Sequence, residues 1–265
     1  MEFVKGIYTD MECLVAMWFA KAQGDTHKER LDAFYGRQAH AYDRFRANFL
    51  HGRRPMLKEL AKQLSAFDGP VSWVDLGGGT GENVAMMADY IDLSRFEKIY
   101  VVDLCSPLCD VAKAKAKERG WNNVEVVEGD ACTFQPDNKA TVVTFSYSLS
   151  MIPPYMAAVD NALSMLAPGG LLGIADFYVS GKYDRPQRQH PYYRRWFWQA
   201  IFDLDNINLG PERRAYLDHK LETVVEVNSQ GGIPYVPILR APWYFWIGSP
   251  KDASESEQPG QDLLQ

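Results

Sequence analysis

The chain has 265 residues, 46% of them hydrophobic and 23% charged, with a formal net charge of −6. That length fits one large α/β domain, or a domain of about 150–200 residues with extensions, and the acidic balance argues against general nucleic-acid binding. Four cysteines without zinc spacing (Cys13, Cys105, Cys109, Cys132) point to reduced thiols and no metal site, and no apolar run reaches the ~20 residues of a membrane span.

Residues 1–24 read as one or two short helices, with the apolar stretch Met11–Ala22 too short and too acid-flanked for a signal peptide. Leu31, Phe34, Tyr35, Gln38, Tyr42, Phe45 and Phe49 fall near one helical stripe over 26–49. A second helix, about 53–66, stops before the turn signal Asp68-Gly-Pro70. An alternation then begins. Strands are expected at Val71–Asp75, Lys98–Asp103, Val124–Val127, Ala140–Phe145 and Leu171–Phe177. Between them come helices at Gly81–Tyr90, Pro107–Arg119 and Pro154–Leu166, with Pro168-Gly-Gly170 as a turn. That spacing implies parallel βαβ units in a doubly wound sheet. Residues 178–220 carry helices instead, one at Tyr193–Asp205 and one opening at Pro211. Two strands, Glu222–Asn228 and Trp243–Gly248, follow around a Gly/Pro-rich link, and the polar tail from Ser249 is expected to be disordered.

The run Trp73-Val-Asp-Leu-Gly-Gly-Gly-Thr-Gly81 carries the most chemistry. Asp75 closes a strand at the edge where open α/β sheets bind ligands. The glycines, Gly77 and Gly79 among them, permit a sharp turn and close approach to a ligand, and the following helix N-terminus can meet an anionic group. Asp103 closes the second strand, where an acid can accept from ribose hydroxyls. Asp130 follows the third, placed for an adenine amino group. A dinucleotide would use a similar turn, but this is not a clean G-x-G-x-x-G. With acids in register after three strands, and Leu-Ala-Pro-Gly-Gly ahead of the fifth, the pattern resembles that of class I methyltransferases, which implies S-adenosylmethionine as cofactor.

A narrower resemblance covers roughly residues 28–248. It rests on Phe34-Tyr-x-x-Gln38-Ala-x-x-Tyr42-Asp-x-x-Arg46 with Gly52-Arg53, and on Leu104-x-x-x-Leu-Cys109-x-Val-Ala and Gly120-Trp-x-Asn-Val124. Further words are Ser146-Tyr-Ser-Leu-Ser-Met-Ile-Pro153, Asp176-Phe-Tyr-Val179, Phe197-Trp-x-x-x-Phe-Asp203, Arg214-x-Tyr-Leu217 and Pro242-Trp-Tyr-x-Trp-Ile-Gly248. Together they are similar to the N-methyltransferase half of betaine lipid synthases. In that family one half attaches an aminocarboxypropyl group to diacylglycerol, and the other methylates the amine to a trimethylhomoserine head group. This chain resembles only the second half. An excised domain, a subunit beside a partner aminocarboxypropyltransferase, and a relative recruited to another substrate all stay open.

The resemblance implies a Rossmann-like, doubly wound seven-stranded sheet with N-terminal helices and a helical insertion between strands 5 and 6. The expected division is a cap over the cofactor at 1–66, a core at 67–248 with the substrate insertion at 178–220, and the tail at 249–265. Expected cofactor contacts are Tyr35, Tyr42, Arg46, Asp75, Gly77, Gly79, Asp103, Leu104, Asp130, Ala131 and Ser146. Arg46 or Arg53 is placed to pair with the cofactor's carboxylate. Catalytic candidates are Tyr147, just after the fourth strand, with Tyr178 and His219. The aromatic run Phe177, Tyr178, Tyr183, Tyr192, Tyr193, Trp196, Phe197 and Trp198 reads three ways: helix core, a quaternary-ammonium cage, or a membrane-facing patch with Arg194 and Arg195. Expected acceptors are the head-group amine of a lipid or a soluble small molecule, with a non-catalytic cofactor-binding subunit as the third alternative. The expected setting is cytoplasmic, with peripheral membrane contact if the acceptor is a lipid.

Overall fold

The computed structural model describes residues 25–35, 49–204, 207–234 and 236–251. Seven strands form one sheet: β1 Val71–Leu76, β2 Phe96–Asp103, β3 Val124–Glu128, β4 Ala140–Ser146, β5 Leu166–Phe177, β6 Leu221–Ile233 and β7 Val236–Pro250. Their spatial order is β3-β2-β1-β4-β5-β7-β6. The first five run parallel, and β7 is antiparallel to both β5 and β6. The strand order reverses between β1 and β4, so their carboxyl ends open a crevice at the switch point. β4 is buried throughout and β1 nearly so, as a strand covered on both faces requires.

Helices α1 His27–Tyr35, α2 Arg53–Leu64, α3 Glu82–Met87, α4 Ser106–Glu118, α5 Tyr155–Met165, α6 Tyr192–Asp203 and α7 Glu212–Lys220 surround the sheet. α2 buries Met56, Leu57, Leu60, Ala61 and Leu64 on one stripe. It lies close on β5: a Cβ added at Gly173 would come within 2.8 Å of Leu60 Cδ1. α4 buries Leu108, Cys109, Ala112 and Ala116. It ends in a Schellman turn, with Gly120 N–H donating to Lys117 O at 3.2 Å and Trp121 N–H to Ala116 O at 3.0 Å.

Several boundaries differ from the sequence reading; β7 runs on to Pro250, so Ser249 and Pro250 of the expected disordered tail are paired with Glu222 and Leu221. The Pro168-Gly-Gly170 turn lies inside β5 as a bulge, where the partner register jumps from Ala140↔Leu166 to Val142↔Leu171. α3 is shorter than expected and starts after Gly81 in left-handed conformation. The Gly/Pro-rich link before β7 is mostly strand, because Gly231 and Gly232 stay in the ladder opposite Ala241 and Arg240. Residues 1–24 and 36–48, and the tail from 252, lie outside the described residues.

The helical insertion between β5 and β6 is tied down by buried charge. Arg188 is 3% exposed. It donates to Asp218 at 2.6 and 3.1 Å and to Glu226 at 2.5 and 2.6 Å. Burial works against its charge, but these two acids outweigh that and hold its pKa above the ordinary arginine value. Arg214 lies beside it, 4.8 Å from the Tyr244 ring centre and 5.4 Å from that of Trp246. The pair of acids on α7 and β6 thus clamps the loop before α6 to the sheet.

Candidate cofactor and acceptor site

The crevice at the ends of β1, β2 and β4 holds a cavity of about 410 Å³, within the usual range for small-molecule sites. Its floor is the turn after β1. Gly77 and Gly78 N–H groups donate to Val102 O at 2.8 and 3.1 Å, which joins that turn to the end of β2. Gly77 takes φ 67°, and a Cβ there would sit 2.3 Å from Ser148 Cβ. Both the dihedral and the space demand glycine. Gly79, at φ 57°, has no atom nearer than 3.9 Å to such a Cβ and donates its N–H to Asp103 Oδ2 at 2.8 Å.

Asp103 lines the cavity, and its second oxygen accepts from Cys105 N–H at 2.9 Å. Burial raises its pKa, opposed by these amide donors. Leu104 and Leu108 add an apolar wall. Leu31 of α1 closes over them, held by Lys28 Nζ donating to Leu104 O at 2.9 Å and Glu128 Oε1 at 2.7 Å. Asp130 and Ala131 form the next side, with Asp130 Oδ1 accepting from Cys132 N–H at 2.8 Å. Beyond β4 come Ser146, Tyr147 and Ser148, then Met151 to Pro154. Arg53, from the start of α2, also lines the cavity and donates its Nε–H to Ser146 Oγ at 3.1 Å.

Tyr147 has the one left-handed backbone among described non-glycine residues, at φ 56°, a strain that the surroundings must enforce. Its N–H donates to Ala175 O at 2.7 Å. Its phenol oxygen accepts from Gly52 N–H at 3.0 Å, and its ring meets Phe177 edge-on at 4.8 Å. Burial raises the phenol pKa well above the ordinary value, so the hydroxyl stays protonated.

Of the expected site residues, Gly77, Gly79, Asp103, Leu104, Asp130, Ala131, Ser146 and Tyr147 all line this cavity. Tyr42 and Arg46 lie outside the described residues, and Tyr35 is described only as the last residue of α1. Asp75 does not face the cavity. Its carboxylate is fully buried, accepting from Thr144 Oγ1 at 2.6 Å and from Asn83 Nδ2 at 2.9 and 3.0 Å. It supports the glycine turn from below. Tyr178 is also absent from the wall: it is buried against Tyr244 and donates its hydroxyl to Asp184. His219 is exposed on α7, away from the lining. The aromatic run does not close into one cage, because helical spacing splits it. Phe177, Tyr178 and Trp198 are buried, while Tyr183, Tyr192, Tyr193 and Trp196 face solvent. Leu31, Leu108, Cys132 and Met151 also line the cavity and were not singled out as site residues from the sequence; the strand ends at Glu128 and Ser146 point to the loops that hold the last two.

Asp176, at the end of β5, fixes the loop that carries Tyr147. It accepts from Ser150 N–H at 2.9 Å, Ser150 Oγ at 2.7 Å and Phe177 N–H at 2.8 Å. Burial pushes the carboxyls of Asp75 and Asp176 up to about 6, against these donors. The folded chain then binds protons that the unfolded chain, with carboxyls near 3.9, does not. The sign follows: each acid costs stability above about pH 6 and regains it on acidification toward pH 4. Comparing wild type with Asp176→Asn by denaturant unfolding, wild type should gain about 1–3 kcal/mol relative to the variant between pH 7 and pH 5. A pH-independent difference would refute this.

Residues 74–170 match the methyltransferase domain family. The chain is 26% identical over 157 residues to a demethylmenaquinone methyltransferase of Lactococcus lactis, covering 58% of this chain and 61% of that protein. It is 24% identical over 153 residues to the Listeria welshimeri protein of the same name, covering 57% and 64%. It thus spans about three fifths of these relatives' length. Among solved structures it resembles the N-methyltransferase NodS from Bradyrhizobium japonicum in complex with S-adenosyl-L-homocysteine. The TM-score is 0.56 at 16% identity, over 84% of this chain and 98% of that one. A SAM-dependent methyltransferase from Geobacter sulfurreducens, also with S-adenosyl-L-homocysteine, gives 0.52 at 17% identity, over 74% and 91%. Residues 74–170 thus match a methyltransferase domain, and the fold around them resembles that of methyltransferases solved with S-adenosyl-L-homocysteine. Among the described residues no cluster of histidine, cysteine or acid could hold a metal, and no helix is long and apolar enough to cross a membrane.

Proposed function

We propose that this chain N-methylates an amine, with the homoserine-type head group of a betaine lipid precursor as first candidate. The observation that carries the reading is Tyr147, a neutral phenol in the cavity wall beside Arg53 and Ser146. When bound, S-adenosylmethionine supplies an electrophilic methyl group on a positively charged sulfur. The residues of the cavity suit that group. Asp103 offers a carboxylate to ribose hydroxyls and Asp130 to an exocyclic amine. Leu104, Leu108 and Ile152 offer apolar surface to a flat base. Arg53 offers its guanidinium to a carboxylate.

At the acceptor end, the Tyr147 ring in the cavity wall would attract a sulfonium or ammonium cation, and its hydroxyl, which accepts from Gly52 N–H, anchors the ring. An amine that arrives neutral needs no proton removed by the wall before it attacks. Strain at Tyr147, Asp176 beneath its loop and the Gly52 hydrogen bond hold that ring in place, which serves positioning. The shared sequence words at Ser146–Pro153 and Pro242–Gly248 point to the lipid head group over a soluble amine.

The test is incubation with S-adenosylmethionine and diacylglyceryl homoserine in mixed micelles, beside soluble amines and a demethylated quinone. Successive methyl gains on the homoserine nitrogen are expected. Methylation of a soluble amine alone would replace the lipid with a small acceptor. Methylation confined to the quinone would overturn the amine reading, and no turnover with tight cofactor binding would favour a non-catalytic subunit. Tyr147→Phe should lower turnover about tenfold, the worth of one buried hydrogen bond, while cofactor affinity stays within about threefold. Equal losses in both would assign Tyr147 to cofactor binding instead.

A further inference from the structure

We infer that the outward face of α6, with the loop before it, docks on an anionic lipid surface. The inner face of this helix is already satisfied: Trp198 and Phe202 are buried, and Phe202 meets Phe177 at 4.6 Å. The outer face is aromatic where solvent would favour polar residues. Tyr192 is 74% exposed, Tyr193 68% and Trp196 64%, with Tyr183 of the preceding loop at 87%. Four large rings exposed within fourteen residues are not scattered surface hydrophobics; grouped like this they mark a contact surface.

The charges around these rings select the partner. Lys182 Nζ lies 5.0 Å from the Tyr183 ring centre, and the Arg195 guanidinium 5.9 Å from that of Tyr192. Arg194 adds positive charge to the same segment, and Arg185, 3.9 Å from Asp218, adds a partly neutralised one. Asp184, the single acid between Gly181 and Trp196, is turned inward onto Tyr178 and Arg188. The segment is therefore locally cationic in a chain of net charge −6. Tyrosine and tryptophan rings prefer the head-group layer of a bilayer, and basic side chains beside them are attracted to anionic lipids. Rings and cations interleaved on one helix end are complementary to a continuous negative surface.

The placement matters for the site. Two ring contacts, Phe202 to Phe177 and Phe177 to Tyr147, connect the inner face of α6 to the cavity wall. The same helix therefore reaches the wall residue Tyr147 through Phe177 on one side and presents rings outward on the other. The inference stands on this surface alone and does not depend on the acceptor's identity.

The test is cosedimentation of the full chain with phosphatidylcholine vesicles, with and without about 30 mol% phosphatidylglycerol. Binding to anionic vesicles should exceed binding to neutral ones at least about tenfold and weaken with added salt. The triple variant Tyr192→Ser, Tyr193→Ser, Trp196→Ser should lose at least about tenfold in binding, with cofactor affinity and unfolding midpoint unchanged. A second variant, Lys182→Glu with Arg194→Glu, should lose the preference for anionic vesicles. Absence of binding to either vesicle, or equal binding by wild type and the well-folded variants, would overturn the inference. No turnover enters the measurement, so failure of the amine assignment leaves it intact.

Discussion

Arg188→Leu should lower the unfolding free energy by about 3–5 kcal/mol, the usual cost of stranding a buried partner charge. The guanidinium is the only group that bridges Asp218 and Glu226 by direct hydrogen bonds among the described residues. Without it, both acids stay inside with reduced compensation. Arg214 lies 3.2 Å from Glu226 and 3.8 Å from Asp218, and offsets part of the loss. Denaturant unfolding of the two proteins measures the effect directly. A loss under about 1 kcal/mol would show that Arg214 takes over the bridge. Because the clamp holds the loop that leads into α6, the variant should also expose that loop to protease before the sheet unfolds.

Asp103→Ala should weaken S-adenosylmethionine binding at least about 100-fold, close to 2.7 kcal/mol. The carboxylate does two jobs at once. It receives the Gly79 and Cys105 amides, fixing the glycine turn and the start of α4, and it lines the cavity. Charge-assisted hydrogen bonds of this kind contribute about 1.5–3 kcal/mol each. Titration calorimetry of Asp103→Ala and Asp103→Asn separates the roles, since asparagine keeps the shape and one acceptor. Affinity within about threefold of wild type for the alanine variant would remove Asp103 from the site.

The sheet was legible because the central parallel strands are mostly apolar segments set off by turn and helix signals, while edge strand β3 is only half-buried and carries Glu125. Central strands buried on both faces leave no other pattern. Asp103 and Asp130 could be placed for the same reason: strand ends define the crevice. Asp75 could not. Its position matched a ligand contact, but a carboxylate next to Thr144 and Asn83 folds inward, and both partners come from other elements. Tyr178 and His219 show the same limit, since side-chain direction depends on Asp184, Tyr244 and the lie of α7. The aromatic run was legible as composition only. Which rings turn inward is set by the 3.6-residue period of α6 together with the docking of Phe202 on Phe177, and that contact spans 25 residues of chain. Arg53 was one of two arginines left open, and its bond to Ser146 is what places it in the wall.

A single indole proton offers a direct view of the glycine turn. Trp73 Nε1–H donates to Thr144 Oγ1 at 2.8 Å, and the Thr144 hydroxyl in turn donates to Asp75 at 2.6 Å. That relay runs from the middle of the sheet to the residue that braces the turn. The Trp73 indole resonance should therefore shift when Asp75 takes up a proton near pH 6, and its exchange with deuterium should report how often the floor of the cavity opens.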